Sequence, residues 1–490
     1  MAKKILLEQS HSLKEFRILT GKTTLSNVMS KVSLKTKLCA IPNSKKHIEL
    51  NIPLVSAAMQ AVSGKHMAVA LAQLGGISVI PCSIPVVDQV KIVKWVKRFK
   101  AGFQQKVITV SKDDKISKVM KIIKEKGYGK FPVTVDAKRN GKLLGIITSK
   151  NFDPDRHNSD LVEQHMVKKI ITAKKGITLS DANEMMVKHG VDVLPIIDKN
   201  KNLISIVFKK DVEKHLHFPN SSVDEHKRYL VAGAVSTQLS DNKRIDALIK
   251  AGVDVIFIDA SDGYSQFQVD TIKYVRKISK TIPVVGGNVI TADAFNFLAN
   301  AGFDGIKVGM GIGSGCTTQA QKGTGRGQAT SVIEVCNARD KLYKKTGKYV
   351  PVISDGSIAN SGQIMVALAI GADNVMMGRF FAGFTEAAGG LKQHPTKGPI
   401  KEYWMEASAR AKNYGRYDST SDSFFEEGVE GFVSHIGSLY YELNQTILKM
   451  KSSMSSAGCK DMKELHSNSI VELQSESALR DSDVHDIISK

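Results

Sequence analysis

The stretch Lys307 to Thr330, KVGMGIGSGCTTQAQKGTGRGQAT, carries the residue types most suited to chemistry in this sequence. Glycines at 309, 311, 313 and 315 allow a tight turn whose backbone N–H groups face an anion, and Cys316 stands at its tip. A cysteine acts as a nucleophile through its thiolate, and nearby N–H donors lower the thiol pKa, so this loop suits covalent catalysis. Further along, Asp355-Gly356 and Gly378-Arg379 pair a polar or charged group with a glycine, an arrangement fit for ribose hydroxyls and a phosphate, with Ser314 as a further phosphate donor. Asp259, Ser261 and Asn288 supply a second polar set that would hold another ribose or an amide, which favours a dinucleotide cofactor over simple hydrolysis. Any one of these residues alone reads equally well as a loop cap; together they describe a nucleotide site.

Positioning such loops requires elements that end beside one another. Eight short apolar runs do so: Pro53 to Ala57, Ile77 to Cys82, Tyr229 to Val235, Asp254 to Asp259, Ile282 to Gly287, Gly305 to Met310, Val350 to Asp355 and Asn374 to Gly378. Each is followed by a Gly-, Ser- or Asp-rich loop and then a helical pattern. Continuous apolar runs alternating with helices mark strands covered on both faces, hence a parallel sheet, and eight of them predict a (β/α)8 TIM barrel in an α/β fold. Barrels of this kind place chemistry on the loops after the strands, where every residue named above falls.

Between the second and third runs, residues 105–218 break the rhythm with an internal repeat. KIIKEKGYGKFPVTVDAKRNGKLLGIITSKNF aligns with EMMVKHGVDVLPIIDKNKNLISIVFKKDV, matching Gly127 to Gly190 and Pro132 to Pro195. Each copy reads helix, strand, strand, helix. The expected organisation is therefore a discontinuous catalytic barrel, 1–104 and 219–490, around a self-contained insert at an exposed connection.

At 490 residues the chain accommodates these two units, and 42% hydrophobic with 24% charged residues is ordinary for a globular protein. No run of about 18 apolar residues offers a membrane span, and a cytoplasmic location is expected. The five cysteines are widely spaced without CxxC pairing, which argues against disulfides or a zinc site. Four of them read as small buried hydrophobes; Cys316 is the exception. The net charge of +21 favours anionic ligands, yet its lysines are scattered and no groove-reading motif accompanies them, so a solvated surface is expected and no specific nucleic acid.

The segments PLVSAAMQ, FIDASDG, VVGGNV, GMGIGSGCTT, SDG and EYWMEASAR followed by NYGRYD closely resemble the IMP dehydrogenase and GMP reductase family over nearly the whole chain, and the repeat resembles a tandem pair of CBS motifs. The resemblance implies an NAD-dependent oxidation of IMP to XMP in which Cys316 adds to C2 of the purine. It implies a mobile flap, about 391–430, bearing Arg416 and Tyr417 to activate water, with Thr318 and Glu427 as an alternative proton path. Arginine is a poor base on its own, since its pKa exceeds about 12. Also implied are Met59 against the purine, Tyr403 near the phosphate, Glu427 on the base edge, and Asp259 with Ser261 on the nicotinamide side. The resemblance further implies a potassium site at the carbonyls of Gly311, Gly313 and Cys316, a homotetramer, and a CBS pair that either binds a purine nucleotide or is a purely structural insert.

Several positions depart from the family pattern. Ser357 follows Gly356 where a second glycine is usual, Met405 and Ala407 replace glycines, and Gly315 replaces the Ile or Val common before the nucleophile. Side chains at 405 and 407 are expected to narrow the purine pocket, and glycine at 315 to loosen the loop. The Glu-Gly-Gly that completes the potassium site from a neighbouring subunit reads here as Asp481-Ser482-Asp483. GMP reductase shares barrel and cysteine but lacks the water-activating pair, so Arg416 and Tyr417 favour the dehydrogenase; a non-catalytic nucleotide sensor is the remaining alternative.

Overall fold

The computed structural model describes residues 5–99, 104, 107–126, 129–209, 217–412 and 426–482. Arg416, Tyr417 and Asp483 lie outside them. Eight parallel strands close into a barrel: β1 (Leu54–Ser56), β2 (Ile77–Ile80), β3 (Ala232–Val235), β4 (Val255–Ile258), β5 (Val284–Val289), β6 (Gly305–Val308), β7 (Val352–Asp355) and β8 (Asn374–Met377). β8 pairs with β1 through Val375 with Leu54, and β2 pairs with β3 through Val79 with Ala232, so no edge is left open. Seven of the strands are shorter than their apolar runs, because flanking residues turn into loops, and β5 is shifted two residues past the end of its run. In the run 229–235, for instance, pairing begins only at Ala232.

At the end of the barrel opposite the catalytic loops, one local motif recurs. Gly252-Val253-Asp254, Gly302-Phe303-Asp304 and Gly371-Ala372-Asp373 each link a helix to a strand. The glycines adopt φ of 86°, 94° and 115°, a region costly for side-chain-bearing residues, which reverses the chain after the helix. Each aspartate then accepts the N–H of the preceding strand's entry residue: Val231 at 2.8 Å, Val284 at 2.7 Å and Val352 at 2.8 Å. A basic side chain backs each carboxylate, Lys97 for Asp254, Arg276 for Asp304 and Arg339 for Asp373. Arg339 is the most enclosed of these cations; it also donates to Gly371 O at 2.6 Å and lies over the Tyr349 ring. Removing it strands a buried carboxylate, so Arg339→Met is expected to cost about 3 to 5 kcal/mol of stability, read as a lower urea midpoint at unchanged slope. A loss under about 1 kcal/mol would show that the brace is dispensable.

A separate compact unit comprises Phe99–Pro219 and Val223–Tyr229. It contains two three-stranded sheets of identical topology. In one, Val110–Ser111 runs parallel to Lys130–Thr134, which pairs antiparallel with Leu143–Thr148; in the other, Ala173–Lys174, Val193–Ile197 and Leu203–Phe208 repeat the pattern. Pro132 and Pro195 take the same place, third in the middle strand, facing Ile146 and Ile206. The helix expected to close the first copy does not form. Asn151 instead accepts hydrogen bonds from Thr148 N and Oγ1, both at 2.8 Å, which turns the chain, and Pro154 then removes a backbone donor.

Candidate active site

The loops after the barrel strands enclose a cavity of about 370 Å3. Its wall includes Met59 after β1, Asp259 and Ser261 after β4, Asn288 at the end of β5, and Gly311, Gly313, Ser314, Cys316 and Thr318 from the loop after β6. Asp355 ends β7 and Gly356 follows it, Gly378 and Arg379 follow β8, and Tyr403 closes the wall. The structure thus gathers all of these sequence-derived candidates at one mouth of the barrel. Gly378 marks a close approach, since a β-carbon there would stand 2.6 Å from Met59 Sδ and 3.1 Å from Tyr403 Oη. Tyr403 Oη donates to Met59 Sδ at 3.9 Å, and burial pushes its phenol up from the usual value.

Cys316 is the only half-exposed member of the five free cysteines. Its Sγ lies 3.1 Å from Thr318 Oγ1, which donates to Glu427 Oε2 at 2.7 Å. The single threonine hydrogen is thereby committed to the carboxylate, so the Cys316 thiol is the donor in the first contact, and the pair forms a directed path for its proton. Glu427, expected on the base edge, is joined to the cavity wall through Thr318, with Lys322 Nζ 3.7 Å from its other oxygen.

Cys39, Cys336 and Cys459 are held as thiols. Burial raises Cys39 well above its ordinary value and pushes Cys336 up to about 12. Because alkylation requires thiolate, iodoacetamide at pH 8 is expected to modify Cys316 at least about tenfold faster than any other cysteine in the native protein. Peptide mapping that found Cys39 or Cys336 modified at a comparable rate would contradict the geometry.

Lys307 had no role assigned from sequence, yet it lines the cavity. It is 2% exposed, with Nζ 3.6 Å from Asp259 Oδ1 and 3.8 Å from Asp355 Oδ2. Asn288 Nδ2 also donates to Asp355 Oδ2, at 2.9 Å, and to Gly309 O at 2.8 Å. Burial pushes the Asp355 carboxyl up, against the opposing pull of Lys307 and Asn288. The period-two pattern of β6 held the signal: Gly305 and Lys307 share one strand face and Ile306 and Val308 the other, and a lysine inside a buried strand needs a partner.

The departures from the family pattern have local consequences. Ser357 adopts φ 58°, so the backbone keeps the turn a second glycine would make, at a cost of about 1 kcal/mol. Ala407 stays out of the cavity wall, whereas Met405 lines it and packs on Gly313 and Gly315. Gly311 O accepts from Gln319 Nε2 and Gly313 O from Cys316 N, both at 3.0 Å.

A family model described as the IMP dehydrogenase / GMP reductase domain matches residues 12–485. Among curated relatives, the inosine-5'-monophosphate dehydrogenase of Tritrichomonas foetus is 38% identical over 99% of this chain and 97% of its own length. That of Schizosaccharomyces pombe is 34% identical over 96% and 90%. A solved GMP reductase of Trypanosoma brucei, in complex with guanosine 5'-monophosphate, superposes with a TM-score of 0.77 at 27% identity, covering 98% of this chain and 99% of that one. With its eight-stranded barrel and a single accessible cysteine at the mouth, this chain belongs to the IMP dehydrogenase/GMP reductase family.

Proposed function

We propose that this chain is an IMP dehydrogenase. The thiol of Cys316 adds to C2 of IMP, the hydride leaves C2 for NAD, and water then releases XMP from the thioimidate on sulfur. The carrying observation is the directed contact from Cys316 through Thr318 to Glu427, which takes the thiol proton as the C–S bond forms. Asp355 is assigned to the ribose hydroxyls, Ser314, Gly356, Gly378, Arg379 and Tyr403 to the phosphate and Met59 to the purine, supported by their lining one cavity. NAD, which accepts the hydride, is assigned to the side lined by Asp259, Ser261 and Asn288. Water activation is assigned to Arg416 and Tyr417 on the resemblance alone.

A monovalent cation is assigned to the carbonyls of Gly311, Gly313 and Cys316. The first two already accept one hydrogen bond each and offer their second lone pair, and no chemical step passes through the ion. The homotetramer, the cytoplasmic location and a purine-nucleotide effector on the inserted CBS pair are carried over from the family in the same way. No described helix is long and apolar enough to cross a membrane.

The Trypanosoma brucei neighbour favours GMP reductase as the second reading. Purified protein is expected to form NADH from IMP and NAD and to leave NADPH unconsumed with GMP. Consumption of NADPH with GMP, and no NADH from IMP, would reverse the assignment.

A further inference from the structure

The loop that carries Cys316 has little packing of its own, because Gly311, Gly313 and Gly315 alternate with Ile312 and Ser314. Its register comes from outside. Val429 N donates to Gly315 O at 3.0 Å and Thr317 N to Glu427 O at 2.9 Å, so Cys316 lies opposite Gly428 in an antiparallel bridge. On its other side the 427–429 segment meets 405–407, with Met405 N donating to Val429 O at 3.2 Å and Glu427 N to Ala407 O at 3.1 Å. Three short stretches therefore lie side by side, the catalytic loop, 427–429 and 405–407.

The Met405 side chain crosses all three. Its Cβ lies over Gly428, where an added β-carbon would collide with it. Farther out, a β-carbon on Gly315 would stand 3.0 Å from both Met405 Cγ and Sδ, and one on Gly313 would stand 3.3 Å from Met405 Cε. The thioether thus occupies the space that a side chain at 315 would take. An unbranched, flexible methionine is well suited to fill such a gap. Both positions depart from the family pattern, and in opposite directions: one gains a side chain and the other loses one.

By contrast, the His157, Asp160 and His165 cluster of the insert is closed by its own hydrogen bonds. Asp153 N donates to His157 Nδ1 at 2.8 Å and His165 Nε2 pairs with Asp160 at 2.9 Å, which leaves no reason to place an ion there.

We infer that Met405 is a positioning residue for Cys316, and that Met405 and Gly315 form one exchanged pair in which the thioether supplies, from a neighbouring segment, the packing the nucleophile's loop lacks. The inference rests on the proposed reaction only for its kinetic readout. The test is a cycle of wild type, Gly315→Ile, Met405→Gly and the double variant. It follows the first-turnover rate of NADH formation from IMP, the KM for IMP, the alkylation rate of Cys316 and the thermal midpoint.

Overpacking in Gly315→Ile and the cavity in Met405→Gly are each expected to lower the first-turnover rate about tenfold and to change the alkylation rate, with KM moving less. The double variant is expected to return both rates to within about threefold of wild type. Singles whose effects simply multiply in the double variant would overturn the pairing, as would singles that move only the thermal midpoint. Should Gly315→Ile fail to fold, Gly315→Ala with Met405→Ala runs the same cycle at smaller volume. A wild type that makes no NADH from IMP would defeat the functional reading, while the alkylation cycle would still decide the pairing.

Discussion

Cys316→Ala is expected to eliminate NADH formation from IMP, by at least about 10^4-fold in kcat, without loss of the folded barrel. The magnitude follows from what the side chain does. Without sulfur there is no bond to C2, and hydride would have to leave a flat aromatic carbon instead of a tetrahedral one. Cys316 is half-exposed on a loop whose register is set by backbone hydrogen bonds, so its truncation removes little packing. Thr318→Val distinguishes nucleophile from proton path. It keeps the sulfur but breaks the contact to Glu427 Oε2, and a positioned proton acceptor is commonly worth about 10^2 to 10^4. The alanine variant should therefore be silent in a stopped-flow burst, while the valine variant shows a slowed burst whose rate climbs with pH as bulk base replaces the relay. Turnover of Cys316→Ala within about tenfold of wild type would remove covalent catalysis from the account.

Much of this was legible from spacing alone. A strand buried on both faces must be apolar throughout, so the eight runs stand out without knowledge of their partners, and loops after such strands inherit a fixed location. That is why Cys316, Asp355 and Arg379, far apart in the chain, surround one cavity. Pairwise relations between distant residues were not legible. Nothing near Met405 in the chain signals that its thioether lies against Gly315, 90 residues earlier, and the two departures looked like separate defects. The link between Thr318 and Glu427 came only from the resemblance, because it depends on how 427–429 pairs with the cysteine loop. The recurring Gly-x-Asp turns were in plain sight as text. Their meaning depends on which strand's N–H each carboxylate reaches, and that is a property of closure.

Lys307→Met should lower kcat/KM for IMP by about 10^2 to 10^3, chiefly through KM, and should move the acid limb of its pH profile to higher pH. Methionine preserves length and apolar volume, so the change isolates the charge. In the native protein one buried ammonium faces two carboxylates, Asp259 and Asp355, that line the cavity. Burial already raises Asp355, and Lys307 is the largest influence holding it down. Without that cation the two negative charges face each other unscreened, and the pair sheds the conflict by keeping a proton. A protonated Asp355 loses acceptor capacity for a ribose diol, so substrate binding weakens until the pH is high enough to ionise it. The sign is fixed: loss of a nearby positive charge can only raise a carboxyl pKa, hence the limb moves up and never down. Stability should respond in the same sense, because a group whose folded pKa lies above its unfolded value favours the folded state at low pH and loses that contribution as pH rises through the folded pKa. The variant is therefore expected to be closest to wild type in acid and increasingly less stable toward neutrality. An unchanged acid limb, together with an unchanged KM, would mean that Asp355 does not contact the substrate, and the ribose would have to be assigned to another wall of the cavity.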